Sequence, residues 1–319
     1  MKTILVTGGA GFIGSNYLNY AVRKYPRYRF INVDVLTYAG RLANIEISRA
    51  KNYSFVKADI RNLAAMERIF KKYNPTHIIH FAAESHVDVS IKNPDIFIET
   101  NIVGTHNLLV LAKRHCVQRF HHISTDEVYG SLTKNARPSK EGDTLSPSSP
   151  YSASKAGADM LVLAYNRTFG LDIVITRLSN NYGPRQYEEK LIPLSITNLL
   201  AGKNVPLYGS GKNVRSWLYV EDGVKGIDLA FHKGKSGEIY NIGGHDELPN
   251  IEVAQMLVRA LGKDRRQIEH VEDRLGHDFR YALKSLKAQK ALGWKPKIRF
   301  ESGLKKTVAF YRRRKAGGK

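Results

Sequence analysis

Through the first half of the chain, short apolar runs alternate with longer stretches whose apolar positions recur at three- and four-residue spacing. The short runs predict strands over residues 3–7, 29–33, 54–57, 77–81, 119–124 and 172–177. The longer ones predict helices, among them 101–113, with Ile102, Leu108, Leu109 and Ala112 on one face. A second spans 154–169, where Ala156, Met160, Leu163 and Ala164 share a face. Strands that are apolar on both faces and alternate with helices are the mark of stacked βαβ units and a parallel sheet. After about residue 180, Pro184, Pro193, Pro206 and several Gly-rich turns break the chain into shorter elements. The expected architecture is α/β: a Rossmann-type doubly wound parallel sheet over residues 1–180, with later segments (about 215–245) returning to it. A smaller mixed α/β C-terminal substrate domain occupies most of 181–319.

Composition narrows the function more than the fold. At 319 residues with 42% hydrophobic content the chain can bury a sizeable core, which excludes a disordered protein. The single cysteine, Cys116, excludes an intramolecular disulfide and suits a reducing compartment. The opening residues lack the basic and apolar regions of a secretory signal, so a cytoplasmic setting is expected, and no stretch has the roughly 20 apolar residues of a membrane span. The formal charge of +21 raises nucleic-acid binding as an alternative of a different class, that of a non-catalytic dinucleotide-binding protein. Yet only Arg312-Arg313-Arg314-Lys315 forms a basic run, and no nucleic-acid-binding motif accompanies it. A solvated basic surface that steers anionic substrates accounts for the charge.

The first strand runs directly into Thr7-Gly8-Gly9-Ala10-Gly11-Phe12-Ile13-Gly14, and a helix follows. Glycines at a spacing of three let backbone N–H groups approach a pyrophosphate at the helix N-terminus. Asp34 ends the second strand at the distance the dinucleotide fingerprint requires, placed to accept hydrogen bonds from ribose hydroxyls. With Val35 beside it and no adjacent Arg, NAD is favoured over NADP. Asp59-Ile60, ending the third strand in register with these features, is a candidate adenine contact.

Tyr151 and Lys155 stand four residues apart, one turn of a helix that starts near Pro150. A free phenol titrates near 10 and a neighbouring ammonium favours its phenolate, so the pair reads as base and activator. At the end of the fifth strand lies Ser124-Thr125-Asp126-Glu127-Val128-Tyr129-Gly130, beyond the carboxyl end of the sheet where ligands bind. The two carboxylates there are either an acid and a base held in different protonation states or solvated loop residues. No metal is expected: His77 and His80 point to opposite faces of a strand, as do the neighbours His121 and His122. Walker loops and nucleophile elbows are absent.

Taken together, the glycine pattern, Asp34, Leu36-Thr37-Tyr38-Ala39-Gly40, Phe81 to Asp88, Thr125-Asp126-Glu127 and Tyr151/Lys155 resemble the dTDP-glucose 4,6-dehydratase family of the extended short-chain dehydrogenase/reductases. Further along, Ser179 to Pro184, Glu189 to Pro193, Arg215 to Val220, Asn241 to His245 and Asp273 to Ala282 extend the likeness over nearly the whole chain. Related epimerases and decarboxylases keep the Tyr and Lys but generally lack the Asp-Glu pair. The resemblance implies NAD as cofactor, contacted by Gly8, Gly11, Phe12, Ile13, Gly14, Asp34, Leu36, Thr37, Asp59, Ile60, Phe81, Ala82, Ala83, Ser85, Thr100, Tyr151, Lys155 and Asn181. It implies a nucleoside-diphosphate sugar held by Glu84, Thr125, Asn180, Lys190, Leu191, Pro206, Tyr208, Arg215, Asn250, Arg274 and His277. It further implies oxidation at C4 by Tyr151, Lys155 and Thr125, elimination of water by Glu127 as base and Asp126 as acid, and hydride return to C6. A homodimer built on helices near 101–113 and 154–169 follows from the same likeness.

The chain departs from the family pattern at Val89, Ser216, Leu275 and Phe279. These departures point to the nucleotide end of the pocket and leave a UDP-sugar as the alternative substrate. A 4-epimerase or decarboxylase of the same superfamily is the alternative reaction.

Overall fold

The computed structural model describes residues 1–317. Its larger sheet comprises β1 (Thr3–Thr7), β2 (Arg29–Asp34), β3 (Tyr53–Lys57), β4 (His77–His80), β5 (Arg119–Thr125), β6 (Ile173–Leu178) and one strand from much later in the chain. All pairings are parallel. Side chains alternate across it: Ile4, Val6 and Val174 enter one apolar layer, Leu5, Ile173 and Ile175 the other. Both faces are covered, which is why these strands read as unbroken apolar runs rather than as alternation. Helix Thr105–Arg114 begins as a π-helical stretch, Ile98–Gly104. Helix Pro150–Phe169 starts at a Ser149–Ser152 capping box with proline in its first turn and stops at Gly170 in the left-handed region.

The smaller region holds β7 (Asn180–Tyr182), β8 (Val205–Tyr208) and β9 (Val214–Tyr219), after which the chain crosses back through helix Val220–Lys233 into β10 (Glu238–Ile242). β10 is the seventh strand of the parallel sheet, whose order is β10-β6-β5-β4-β1-β2-β3. The returning segment is thus 220–242; β9, within the span expected to return, pairs instead with β7, β11 (Asp246–Pro249) and β13 (Arg280–Tyr281). Trp217 and Tyr219 explain this, because both pack into the apolar cluster of the smaller region with Tyr182, Ile192, Leu257 and Phe300. β12 (Ile268–Val271) pairs with β8. In the main sheet the order reverses between β1 and β4, and a crevice opens beyond their carboxyl ends, where open α/β sheets bind ligands.

Candidate functional site

The crevice is floored by the glycine turn. Gly8 has φ +70°, and a Cβ there would lie 2.5 Å from the Ala82 nitrogen, so the β1 and β4 exits touch backbone to backbone. A Cβ on Gly14 would press on Gly8 O and sit 2.8 Å from the Gly9 Cα. Only glycine allows this close approach, and it leaves the N-terminus of helix Phe12–Lys24 open to a ligand. Asp34 accepts from Ala10 N at 2.9 Å and from Leu36 N at 2.8 Å. Burial raises its carboxyl above the usual range, opposed by those two amides.

One cavity is lined by Gly8, Gly11, Phe12, Ile13, Gly14, Asp34, Thr37, Asp59, Ile60, Phe81, Ala82, Ala83, Glu84, Ser85, Thr100, Thr125, Asp126, Glu127, Tyr151, Lys155, Asn180, Asn181 and Lys190. Leu36 is the exception among the expected cofactor contacts: it lies outside the lining, its φ of 59° turning its backbone N–H onto Asp34. A second cavity continues from the first through Glu127, Asn180, Asn181, Gln186, Glu189 and Lys190, and is further lined by Leu191, Pro206, Tyr208, Arg215, Asn250, Arg274 and His277. Among the described residues, Ser124 Oγ and Asn181 Oδ1 in the first cavity, and Asn180 Oδ1 and Asn250 Oδ1 in the second, are buried without a hydrogen-bond partner. Buried polar atoms of this kind need a ligand or water. With the glycine cradle and the Asp34 carboxylate, they make a donor and acceptor set that fits a dinucleotide.

The chemical groups meet where the cavities join. Asp126 and Glu127 follow β5 in a 3-10 turn whose N-cap is Thr125, with Oγ1 accepting from Glu127 N at 3.2 Å. The alternative of two solvated loop carboxylates is corrected here: Asp126 is 2% exposed and Glu127 is half-buried. Burial, then the neighbouring Glu127, pushes the Asp126 carboxyl well above its usual range. Burial raises Glu127 too, but Lys190, Arg215 and Arg274 oppose it. The two adjacent carboxyl groups are thus shifted unequally, Asp126 the more strongly toward the acid form, while the three cations hold Glu127 back.

Tyr151 is buried, and its phenol is pushed well above 10 by burial and by the charge of Glu127. Lys155 Nζ donates to Ile123 O at 2.8 Å and lies 3.4 Å from His122 Nε2; burial lowers it to about 8, against the opposing pull of Asp159. Behind it stands a layer that residue spacing did not reveal. His122 Nε2 is 3.4 Å from Asp159 Oδ1, Asp159 Oδ2 accepts from Arg177 Nε at 2.8 Å, and Arg177 reaches Tyr129 OH at 2.8 Å. Asp159 sits one turn beyond Lys155, the one clue the sequence held.

The basic residues expected around a diphosphate are engaged with protein groups. Arg274 is paired with Asp88 and lies 5.1 Å over the Tyr208 ring, Arg215 donates to Asp278 O at 3.0 Å, and Lys190 donates to Ser85 O at 2.8 Å. His277 contacts Asp273 at 2.6 Å. The departures from the family pattern lie elsewhere. Val89, Leu275 and Phe279 are exposed and line neither cavity, and Ser216 is buried with its hydroxyl 3.4 Å from Gly244 O. The inference from these positions to an altered nucleotide pocket is therefore withdrawn. Among the described residues, no group of three His, Cys, Asp or Glu side chains could hold a metal ion, and no helix is long and apolar enough to cross a membrane.

Known proteins with this geometry are close in sequence. The profile described as GDP-mannose 4,6 dehydratase matches residues 5–307. The dTDP-glucose 4,6-dehydratase of Salmonella typhimurium is 47% identical, over 97% of this chain and 92% of the relative. The crystal structure of dTDP-glucose 4,6-dehydratase from Bacillus anthracis in complex with NAD is 47% identical, with a TM-score of 0.92 over 99% of this chain and 98% of that one. The UDP-glucose 4-epimerase of Thermotoga maritima, with UDP-glucose, superposes nearly as well at a TM-score of 0.91 over 98% and 99% of the two chains, but at 33% identity. Backbone likeness alone does not separate the two reactions; sequence identity across the whole length does, and this chain belongs to the dTDP-glucose 4,6-dehydratase family.

Proposed function

We propose that this chain is an NAD-dependent hydro-lyase that converts dTDP-glucose to its 4-keto-6-deoxy product. The observation that carries the reading is the buried Asp126 and half-buried Glu127 beside Tyr151 and Lys155, where the two cavities join. An epimerase needs only the base and its lysine; a dehydratase also needs an acid and a second base at C5 and C6. NAD, held on the Gly8–Gly14 cradle and Asp34, takes a hydride from the sugar and gives it back. Tyr151 removes the 4-hydroxyl proton, assisted by Thr125 and by Lys155, which is buried nearby. The 4-ketone acidifies the C5 hydrogen, Glu127 takes it, and Asp126 protonates the departing 6-hydroxyl. Asn250, Arg215, Tyr208 and Arg274, which line the second cavity, hold the nucleotide.

Mass spectrometry of the purified protein incubated in parallel with dTDP-glucose and UDP-glucose tests this. Loss of one water from dTDP-glucose is expected; an unchanged mass with both, in protein that carries NAD, refutes dehydration, and water loss from UDP-glucose alone refutes the choice of base. A homodimer accompanies the reading. Ile98, Val103, Met160 and Phe169, apolar and exposed, lie on the helices expected to pair. The cytoplasmic setting rests on the lone, unpaired Cys116.

A further inference from the structure

Arg274 and Tyr208 hold the nucleotide in the dehydratase reading, on which this inference rests. Yet Arg274 is already held by the protein, and the group that holds it comes from the other half of the molecule. Asp88 lies on helix Val87–Lys92, directly after the Phe81–Ser85 segment that lines the first cavity. Tyr208 ends β8 in the smaller region, and Arg274 lies between β12 and β13. Arg274 donates through Nε to Asp88 Oδ1 and through Nη2 to Asp88 Oδ2 at 3.0 Å. Tyr208 OH donates to the same Oδ2 at 3.2 Å, and the guanidinium carbon sits 5.1 Å from the centre of the Tyr208 ring.

This clamp leaves Arg274 usable. A guanidinium carries its N–H donors in a planar fork, one on Nε and two on each terminal nitrogen. Asp88 occupies the edge formed by Nε and Nη2, and Nη1 has no hydrogen-bond partner among the described residues. The edge that remains, Nη1 with the second hydrogen of Nη2, matches two oxygens of a phosphate. Arg274 lines the second cavity, whereas Asp88 lines neither, so Asp88 acts on a ligand only through its partners. An arginine free to rotate has to be ordered by the ligand, which weakens binding; one fixed between a carboxylate and an aromatic ring has been ordered by folding. The charge of Asp88 opposes a diphosphate, but the adjacent guanidinium offsets it, and solvent screens what is left, since the two side chains are 27% and 23% exposed. We propose that Asp88 is a positioning residue for nucleotide recognition: from the NAD-binding half it fixes the Arg274 fork over Tyr208, so that the free edge meets the diphosphate.

Calorimetric titration of dTDP into NAD-loaded protein tests this, with wild type, Asp88→Asn, Arg274→Met and the double variant. Asparagine keeps the volume of Asp88 but replaces one acceptor oxygen by an amide that cannot accept from Arg274. Asp88→Asn is expected to weaken dTDP binding about tenfold, the upper range for ordering one long side chain. In turnover of dTDP-glucose the loss should fall on KM rather than on kcat. With Arg274→Met in place there is no guanidinium to position, and Asp88→Asn should then weaken binding by less than about twofold more. The positioning role is overturned if Asp88→Asn binds dTDP as tightly as wild type, or more tightly, which would mark Asp88 as a competitor for Arg274. It is overturned equally if the tenfold loss persists in the Arg274→Met background. Titrations with UDP separate these results from failure of the underlying reading. A wild type that binds UDP but not dTDP overturns the choice of base, and the same four proteins then decide the positioning role with UDP; a wild type that binds neither overturns the nucleotide-sugar reading and this inference with it.

Discussion

Replacing Asp159 by Asn should destabilise the protein severely although Asp159 touches no ligand cavity. The carboxylate is fully buried and Arg177 is 1% exposed, with Arg177 Nε 2.8 Å from Asp159 Oδ2 and the guanidinium 4.8 Å over the Tyr129 ring. Asparagine keeps the volume but leaves a guanidinium without countercharge between helix and sheet. Removing one partner of a buried pair costs about 3–5 kcal/mol. At roughly 2–4 °C per kcal/mol for a large domain, Tm should fall by roughly 10 °C. Arg177→Met should cost less, because Asp159 would still face Lys155 across His122. In the double variant the two losses should not add, since Asp159→Asn has no cation left to strand. Urea unfolding of wild type, both single variants and the double variant measures the coupling, expected at 0.5 kcal/mol or more in the range of about 0.5–3 kcal/mol seen for residues in contact. An Asp159→Asn protein within about 1 kcal/mol of wild type, or strictly additive losses, would refute the view of this pair as a buried ionic unit.

The same variant carries a pH prediction: Asp159 favours the charged form of Lys155, which burial has already lowered to about 8, so without it the ammonium loses its proton at lower pH and the basic limb of the kcat/KM profile should move down. Asp126→Asn combined with Glu127→Gln should lower water elimination by about 10²-fold or more, while sugar still reduces the bound cofactor, visible as reduced-nicotinamide fluorescence. Gly14→Ala should weaken NAD binding by at least about tenfold, equivalent to about 1.4 kcal/mol, in a fluorescence titration, because its Cβ meets Gly8 O and the Gly9 Cα. Val89→Arg and Leu275→Ser should leave kcat/KM for dTDP-glucose within about twofold, since both side chains are exposed outside the cavities and Leu275 is 77% exposed.

What could be read in the sequence was whatever the chain encodes locally. The strands of the parallel sheet are apolar on both faces, and the Gly8–Gly14 turn and the Tyr151/Lys155 turn are short-range patterns. β10 was harder to see: Glu238-Ile239-Tyr240-Asn241-Ile242 alternates with polar residues, because Asn241 turns to Tyr129 OH and Ser139 O. The widened π-helical stretch at Ile98–Gly104 has no sequence period of its own; it places Asn101 to bridge Glu84 N and O and Ser154. The engagement of Arg274 by Asp88 and of Asp159 by Arg177 joins residues far apart along the chain, and only folding reveals it. Val89, Leu275 and Phe279 show the converse. A departure from a motif was visible, but not that these side chains face solvent.

The placement of β10 bears on synthesis. Growing from its N-terminus, the chain completes six parallel strands by Leu178 and then leaves the sheet to build β7, β8 and β9 before β10 returns to pair with β6. Until residues 238–242 emerge from the ribosome, β6 is a bare apolar edge, the kind of edge that recruits strands from other chains. The nascent protein is therefore most prone to aggregate in the interval between its two visits to the sheet, and a fragment cut near residue 180 would keep that edge open permanently.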